Sequence, residues 1–255
     1  MMLSKLKRLY KDRTYYTGKK SLYTLKFHER FNVSIKDCVN AYALPFNSKL
    51  NPITETARMI IENQLISYNE SPLADYYERF QPSSLIEALR LDCSDLNETE
   101  INQLESFLDP QNAPMPWTPV NHFLTKKYIQ NRHDYGPKKF DSKYGEPRFK
   151  KILMLCQSIQ RYGYKNIQTK TELKTNIRGI LLKKGNEYRF LVFNGNHRVG
   201  VLAALGHDRV PVIFNAGFPS IVDYDQAEHW PCVKKSIYSV KAAQVIFESY
   251  FKQSE

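Results

Sequence analysis

The segment FNGNHRVGVLAALGHDRVPVIF, residues 193–214, decides how this chain is read. A strand ends at Phe193 and Asn194-Gly195 makes a tight turn. A helix is then predicted from Asn196 to Leu205, closed by Gly206, with a further strand over Val210–Phe214. At the helix start the free backbone amides and the side chains of His197 and Arg198 are expected to converge on the positive end of the helix dipole. Phosphate groups bind at such ends. Gly195 permits close backbone approach, Arg198 can grip phosphate oxygens with two parallel bonds, and His197 can donate a hydrogen bond or shuttle a proton. The expected phosphate ligands are therefore Asn194, Gly195, Asn196, His197 and Arg198.

Two familiar phosphate loops are excluded. Gly195 and Gly200 have the separation of a Walker loop, but Val201 and Leu202 stand where Lys and Ser or Thr are required. The G-x-G-x-x-G dinucleotide fingerprint fails because Gly195 lacks a second glycine two residues on.

Working outward, EPRFKKILMLCQSIQRY, residues 146–162, predicts a helix with Glu146 and Pro147 in its first turn and Gly163 as its stop. Strands are predicted at Ile177–Leu182 and Tyr188–Phe193 around a Lys-Lys-Gly-Asn turn. The local order is thus helix, strand, strand, helix, strand. Further upstream, helical spacing recurs in TETARMIIENQLI, in SPLADYYERF after Ser71-Pro72, in SSLIEALRL and in NETEINQLESFL. DPQNAPMPWTP, residues 109–119, carries four prolines and is read as a boundary. The stretch from Ser239 to Lys252 is amphipathic, with Ala242, Val245, Ile246 and Tyr250 on the face expected to dock on the body.

These elements give an α+β expectation: an α-rich part over 1–118, a mixed α/β domain over 119–218 and a helical extension over 219–255. At 255 residues, 42% apolar and 13% aromatic, the chain has ample material for a core, which excludes general disorder.

The formal charge of +11 calls for an anionic partner, but it is segmented. Residues 1–30 carry +7, residues 51–110 carry −9 and residues 121–190 carry +12. A uniformly basic face for wrapping nucleic acid is not what this pattern describes. Cys38, Cys93, Cys156 and Cys232 are scattered without a close pair, which fits a reducing cytoplasm and argues against a zinc ribbon or disulfide framework. No apolar run reaches the length of a membrane span. The basic start, residues 1–13, reads as an amphipathic helix that lies either on an anionic membrane or on the protein.

Gly195, His197, Arg198, Ala203, Ala204, Leu205 and Gly206, followed by Val210-Pro211-Val212, resemble the G-x-H-R…A-x-x-L-G…VPV segment of ParB/sulfiredoxin-like domains. The likeness extends back to the SIQRYGY end of the helix at 146–162. It implies a mixed α/β nucleotide-binding domain whose corresponding loop and helix end hold nucleotide phosphates. Members include CTP-dependent partition proteins, ATP-using sulfiredoxins and free-serine kinases. Asn196 stands where sulfiredoxins carry a reactive cysteine, which argues against sulfinic-acid reduction. Partition proteins have a second arginine at the position of His197 and continue into helix-turn-helix domains, for which the segment after Phe214 shows no clear helix pair. SPLADYYERFQPSSLIEALRL and WPCVKKSIYSVKAAQVIFESYF are similar to ParB-like proteins encoded with bacterial surface-polysaccharide assembly enzymes.

On this reading the chain is expected to be a cytoplasmic, nucleotide-dependent transferase. The reaction is kinase-like: phosphotransfer from a nucleoside triphosphate or diphosphate to a hydroxyl of a small molecule or surface-glycan intermediate. Arg198 and His197 are the expected catalytic groups, with Glu146 as the carboxylate that activates the acceptor, against a plain dipole-stabilising role at its helix start. Asp223 and Asp225 are its rivals. Mg is expected from phosphate chemistry, although no protein ligand cluster for a metal is visible. His133, Asp134, Tyr135, Lys138 and Lys139 form a second candidate group for substrate, and Lys138 and Lys139 with Arg148, Lys150 and Lys151 are read either as a frame for a substrate phosphate or as a solvated face. Trp117 and Trp230 are read as packing or loop anchors, with stacking on a sugar or base as the alternative. The alternative functions are a ParB-like DNA- or RNA-binding protein, and a glycosyltransferase-like or scaffold protein in polysaccharide assembly.

Overall fold

The computed structural model describes residues 30–64, 67–107, 113–119, 142–164, 176–215 and 218–252. Residues 1–13 and the His133–Lys139 group lie outside the described residues. The chain is α+β, with helices packed on a mixed sheet.

The centre of the sheet is a hairpin of β3, Ile177–Lys184, and β4, Glu187–Asn194, paired antiparallel across a turn in which Gly185 takes φ +56°. β5, Arg209–Phe214, runs parallel to the first residues of β3, and β6, Ile221–Asp223, runs parallel to Leu181–Lys183. The free edge of β3 is therefore shared by two strands in tandem. Two short strands from the N-terminal region complete the sheet: β1, Phe31–Ser34, pairs antiparallel with β5, and β2, Cys38–Val39, pairs parallel with β4. The region before the proline-rich stretch thus contributes two strands to the sheet as well as helices.

Both faces of the hairpin are buried, which is why its strands read as near-continuous apolar runs. Ile177, Leu181, Phe190 and Val192 face one core, with α1 (Pro52–Ile61), α2 (Pro72–Arg79), α5 (Ser142–Tyr162) and α6 (Asn196–Ala204) packed against it. Ile180, Leu182 and Leu191 face the other core. There they meet α3 (Leu85–Leu89), α4 (Glu98–Glu105), α8 (Val240–Ser249), Trp117 and Trp230. α7, Pro231–Lys234, adds Cys232 to this side. Trp117 and Trp230 meet edge to face at 5.6 Å, and Trp230 stacks on Phe247. With Trp117 fully buried, these rings are core, not a stacking platform.

Most helices close their amino ends with a side chain. Asn51 Oδ1 accepts from the amides of Ile53 and Thr54, Ser71 Oγ from Ala74, Ser84 Oγ from Glu87 and Ser239 Oγ from Ala242, while Asn97 and Glu100 form a reciprocal capping box. α6 differs. Its N-cap is Gly195 at φ +96°, which has no side chain to offer. A Cβ there would stand 3.0 Å from Ile177 Cα, so the glycine is also what lets the turn lie against the start of β3.

α5 begins at Ser142, four residues before the predicted start, with Pro147 inside the helix. Its early turn is held by a tertiary contact: Gly145 sits so close to the Tyr68 ring that any Cβ would overlap it. Among the described residues all four cysteines are free thiols, and no helix is long and apolar enough to cross a membrane.

Candidate functional site

The amino end of α6 opens on a cleft of about 410 Å³. Asn196 and His197, the first two residues of the helix, line it. Pro52 and Ile53 bring the start of α1 to the same space, Tyr76 and Tyr77 come from α2, and Tyr144 and Arg148 come from α5. Asn40, Tyr42, Met115, Phe193 and Phe218 form much of the remaining wall. Two helix amino ends therefore meet at one cleft, one capped by Asn51 and the other without a side-chain cap.

Asn196 places its Oδ1 out of contact with water and without a hydrogen-bond partner, and the same is true of the Tyr76 hydroxyl. Buried polar atoms without partners are uncommon because each forfeits its hydration. Both atoms belong to residues that line the cleft.

Arg148 folds its guanidinium over the Tyr144 ring, 3.1 Å from the centroid, and donates from Nη1 to the Tyr144 carbonyl at 3.0 Å. It forms no ion pair among the described residues. Most of its five donors remain available to an anion.

His197 is partly buried and surrounded by positive charge. Burial is the larger cause and Lys151, Arg148 and Arg198 the next, and together they push its pKa down to about 4. The imidazole is neutral at pH 7, with one nitrogen donating and the other accepting.

The predicted site is thus brought together only in part. Asn196 and His197 line the cleft; Arg198 does not. Arg198 leaves the helix about 100° around from His197, on the side away from the cleft lining. Arg198 is half-buried with Nη1 lacking a partner, its pKa lowered by burial, and its charge acts on the Tyr164 phenol. The cation beside His197 in the cleft is Arg148. Asn194 is exposed, and Gly195 serves the turn. Glu146 is exposed on α5, 3.9 Å from Lys150, and is not among the residues lining the cleft.

Asp223 is also placed elsewhere. Buried beside β3, its Oδ2 accepts from Lys183 Nζ at 2.5 Å and its Oδ1 from the Asp225 amide. That pair fastens β6 to β3. Among the described residues no group of three His, Cys, Asp or Glu is placed to hold a metal ion.

Tyr76, Tyr77 and Tyr144 are among the cleft residues that sequence patterning does not single out. Tyr77 and Tyr144 meet edge to face at 5.5 Å. The adjacent pair in ADYYERF gives no separate signal, because both phenols also pack on the apolar core. No family model, no curated protein and no solved structure matches this chain.

Proposed function

We propose that the chain is a nucleotide-dependent transferase of kinase-like action, holding nucleotide phosphates at the amino end of α6 and passing a phosphoryl group to a hydroxyl of a small molecule or surface-glycan intermediate. The observation that carries this reading is the α6 end without a side-chain cap, opening on a cleft beside Arg148, an ion without a counter-ion among the described residues. The resemblance of the G-x-H-R turn to ParB/sulfiredoxin-like domains supports it from sequence.

In this mechanism the amides of residues 196–198 and the Arg148 guanidinium hold phosphate oxygens, and Arg148 stabilises charge developing on the transferred group. The terminal P–O bond of the nucleotide breaks as one forms to the acceptor oxygen, and the acceptor proton leaves to solvent. A loose phosphoryl-transfer transition state asks little of a base until late, so the placement of Glu146 outside the cleft lining is tolerable. Magnesium would neutralise phosphate charge if bound with the nucleotide, but the described lining contains no carboxylate to hold it and does not by itself make a magnesium site.

Calorimetric titration with ATP, ADP, CTP and GTP tests the reading. Binding of at least one nucleotide that Arg148→Ala weakens supports it, and no binding by any of them removes it.

A further inference from the structure

The charge in the cleft is one-sided. Its described lining carries Arg148 and the open end of α6, and no carboxylate. The groups acting on His197 are Lys151 and Arg148 from α5 and Arg198 from its own helix, all cations. α1 contributes only Pro52 and Ile53 to the lining. From α2, Tyr76 and Tyr77 face the same space as phenols held protonated, because burial pushes both pKa values up. Nothing described around the cleft favours the imidazolium.

An anion changes that balance, and its charge decides by how much. A singly charged group is matched by Arg148, whereas a second negative charge leaves His197 as the cleft-lining group that can answer it. Opposite charges at hydrogen-bond distance move a pKa by whole units in a partly dry site. Once protonated, the imidazole donates from both nitrogens, one of them to a phosphate oxygen.

Resting on the phosphate-binding reading above, we propose that the cleft selects a terminal, dianionic phosphoryl group over a monoanionic phosphodiester, and that His197 takes a proton from solvent as that group binds. The ligand class is then a phosphomonoester or the terminal phosphoryl of a nucleotide.

Sulfate and methanesulfonate separate the two charge states, because both present tetrahedral oxygens while carrying fixed double and single charges near neutral pH. Each is titrated into the full chain by calorimetry at neutral pH, in two buffers of different ionisation enthalpy. Sulfate is expected to bind tighter by about tenfold or more and to take up about one proton, with little uptake for methanesulfonate. His197→Gln is expected to abolish the uptake and to weaken sulfate binding more than methanesulfonate binding, so that the two affinities come together, with a cooperative urea transition at pH 7 showing that the variant is folded. Equal affinities in the wild type, or sulfate binding without proton uptake, overturn the charge selection and leave the phosphate site standing. If neither anion nor any nucleotide binds, the selection falls together with the phosphate site.

Discussion

A Cβ on Gly200 would stand 2.5 Å from Ile53 Cγ2 and 3.3 Å from the Thr54 amide nitrogen, so α6 and α1 touch with no room for a side chain between them. This contact sets the two helix amino ends side by side at the cleft. Gly200→Ala is expected to destabilise the fold by about 1–3 kcal/mol through overpacking, measured by urea unfolding. Pairing it with Ile53→Ala is expected to recover part of that loss, as a coupled cycle between touching residues should. Additive losses would contradict the contact.

His197 makes stability fall with acid. Its pKa is lowered from 6.5 in the unfolded chain to about 4 in the folded one, so between those values the unfolded state binds more protons. The contribution is whole above pH 6.5 and is lost as pH falls through 4. It is on the order of 3 kcal/mol from the size of the shift. Urea midpoints at pH 7 and pH 4.5 should therefore differ less in His197→Gln than in the wild type. An identical pH response in the two proteins would contradict a partly buried, neutral imidazole.

The helix at 196 and the hairpin before it were legible because each announces itself locally: apolar runs for strands buried on both faces, glycines at Gly185, Gly195 and Gly206 where φ turns positive. β1 and β2 were not. They are four and two residues long, and they exist through pairing with β5 and β4, far away in sequence. The candidate site divides in the same way. Asn196 and His197 follow from a local turn, whereas choosing Arg148 over Arg198 depends on helix phase and on where α5 crosses the cleft, neither of which a run of basic residues encodes.

Asp223 is expected to act in stability. Its side chain is only 7% exposed, bonded to Lys183 and capping the turn at Asp225. Asp223→Ala should cost about 2 kcal/mol, discounted for the partly exposed lysine. Nucleotide or sulfate affinity should not change. A loss of affinity without a loss of stability would return this carboxylate to the list of site residues.

Trp117 and Trp230 should report a dry core. Both are buried against Phe247, so native emission is expected to be blue-shifted and resistant to iodide. Saturating nucleotide should leave that emission nearly unchanged. Strong iodide quenching, or a large shift on nucleotide binding, would mean that one of these rings reaches solvent or ligand.

The central claim is that phosphate is held by the open end of α6 together with Arg148. A crystal structure with a nonhydrolysable nucleotide tests it most directly. The prediction is phosphate oxygens within hydrogen-bond reach of the amides of residues 196–198 and of the Arg148 guanidinium, inside the cleft lined by Tyr76 and Tyr144. Phosphates bound beside Arg198 and away from the cleft, or a nucleotide seated elsewhere on the chain, would contradict it.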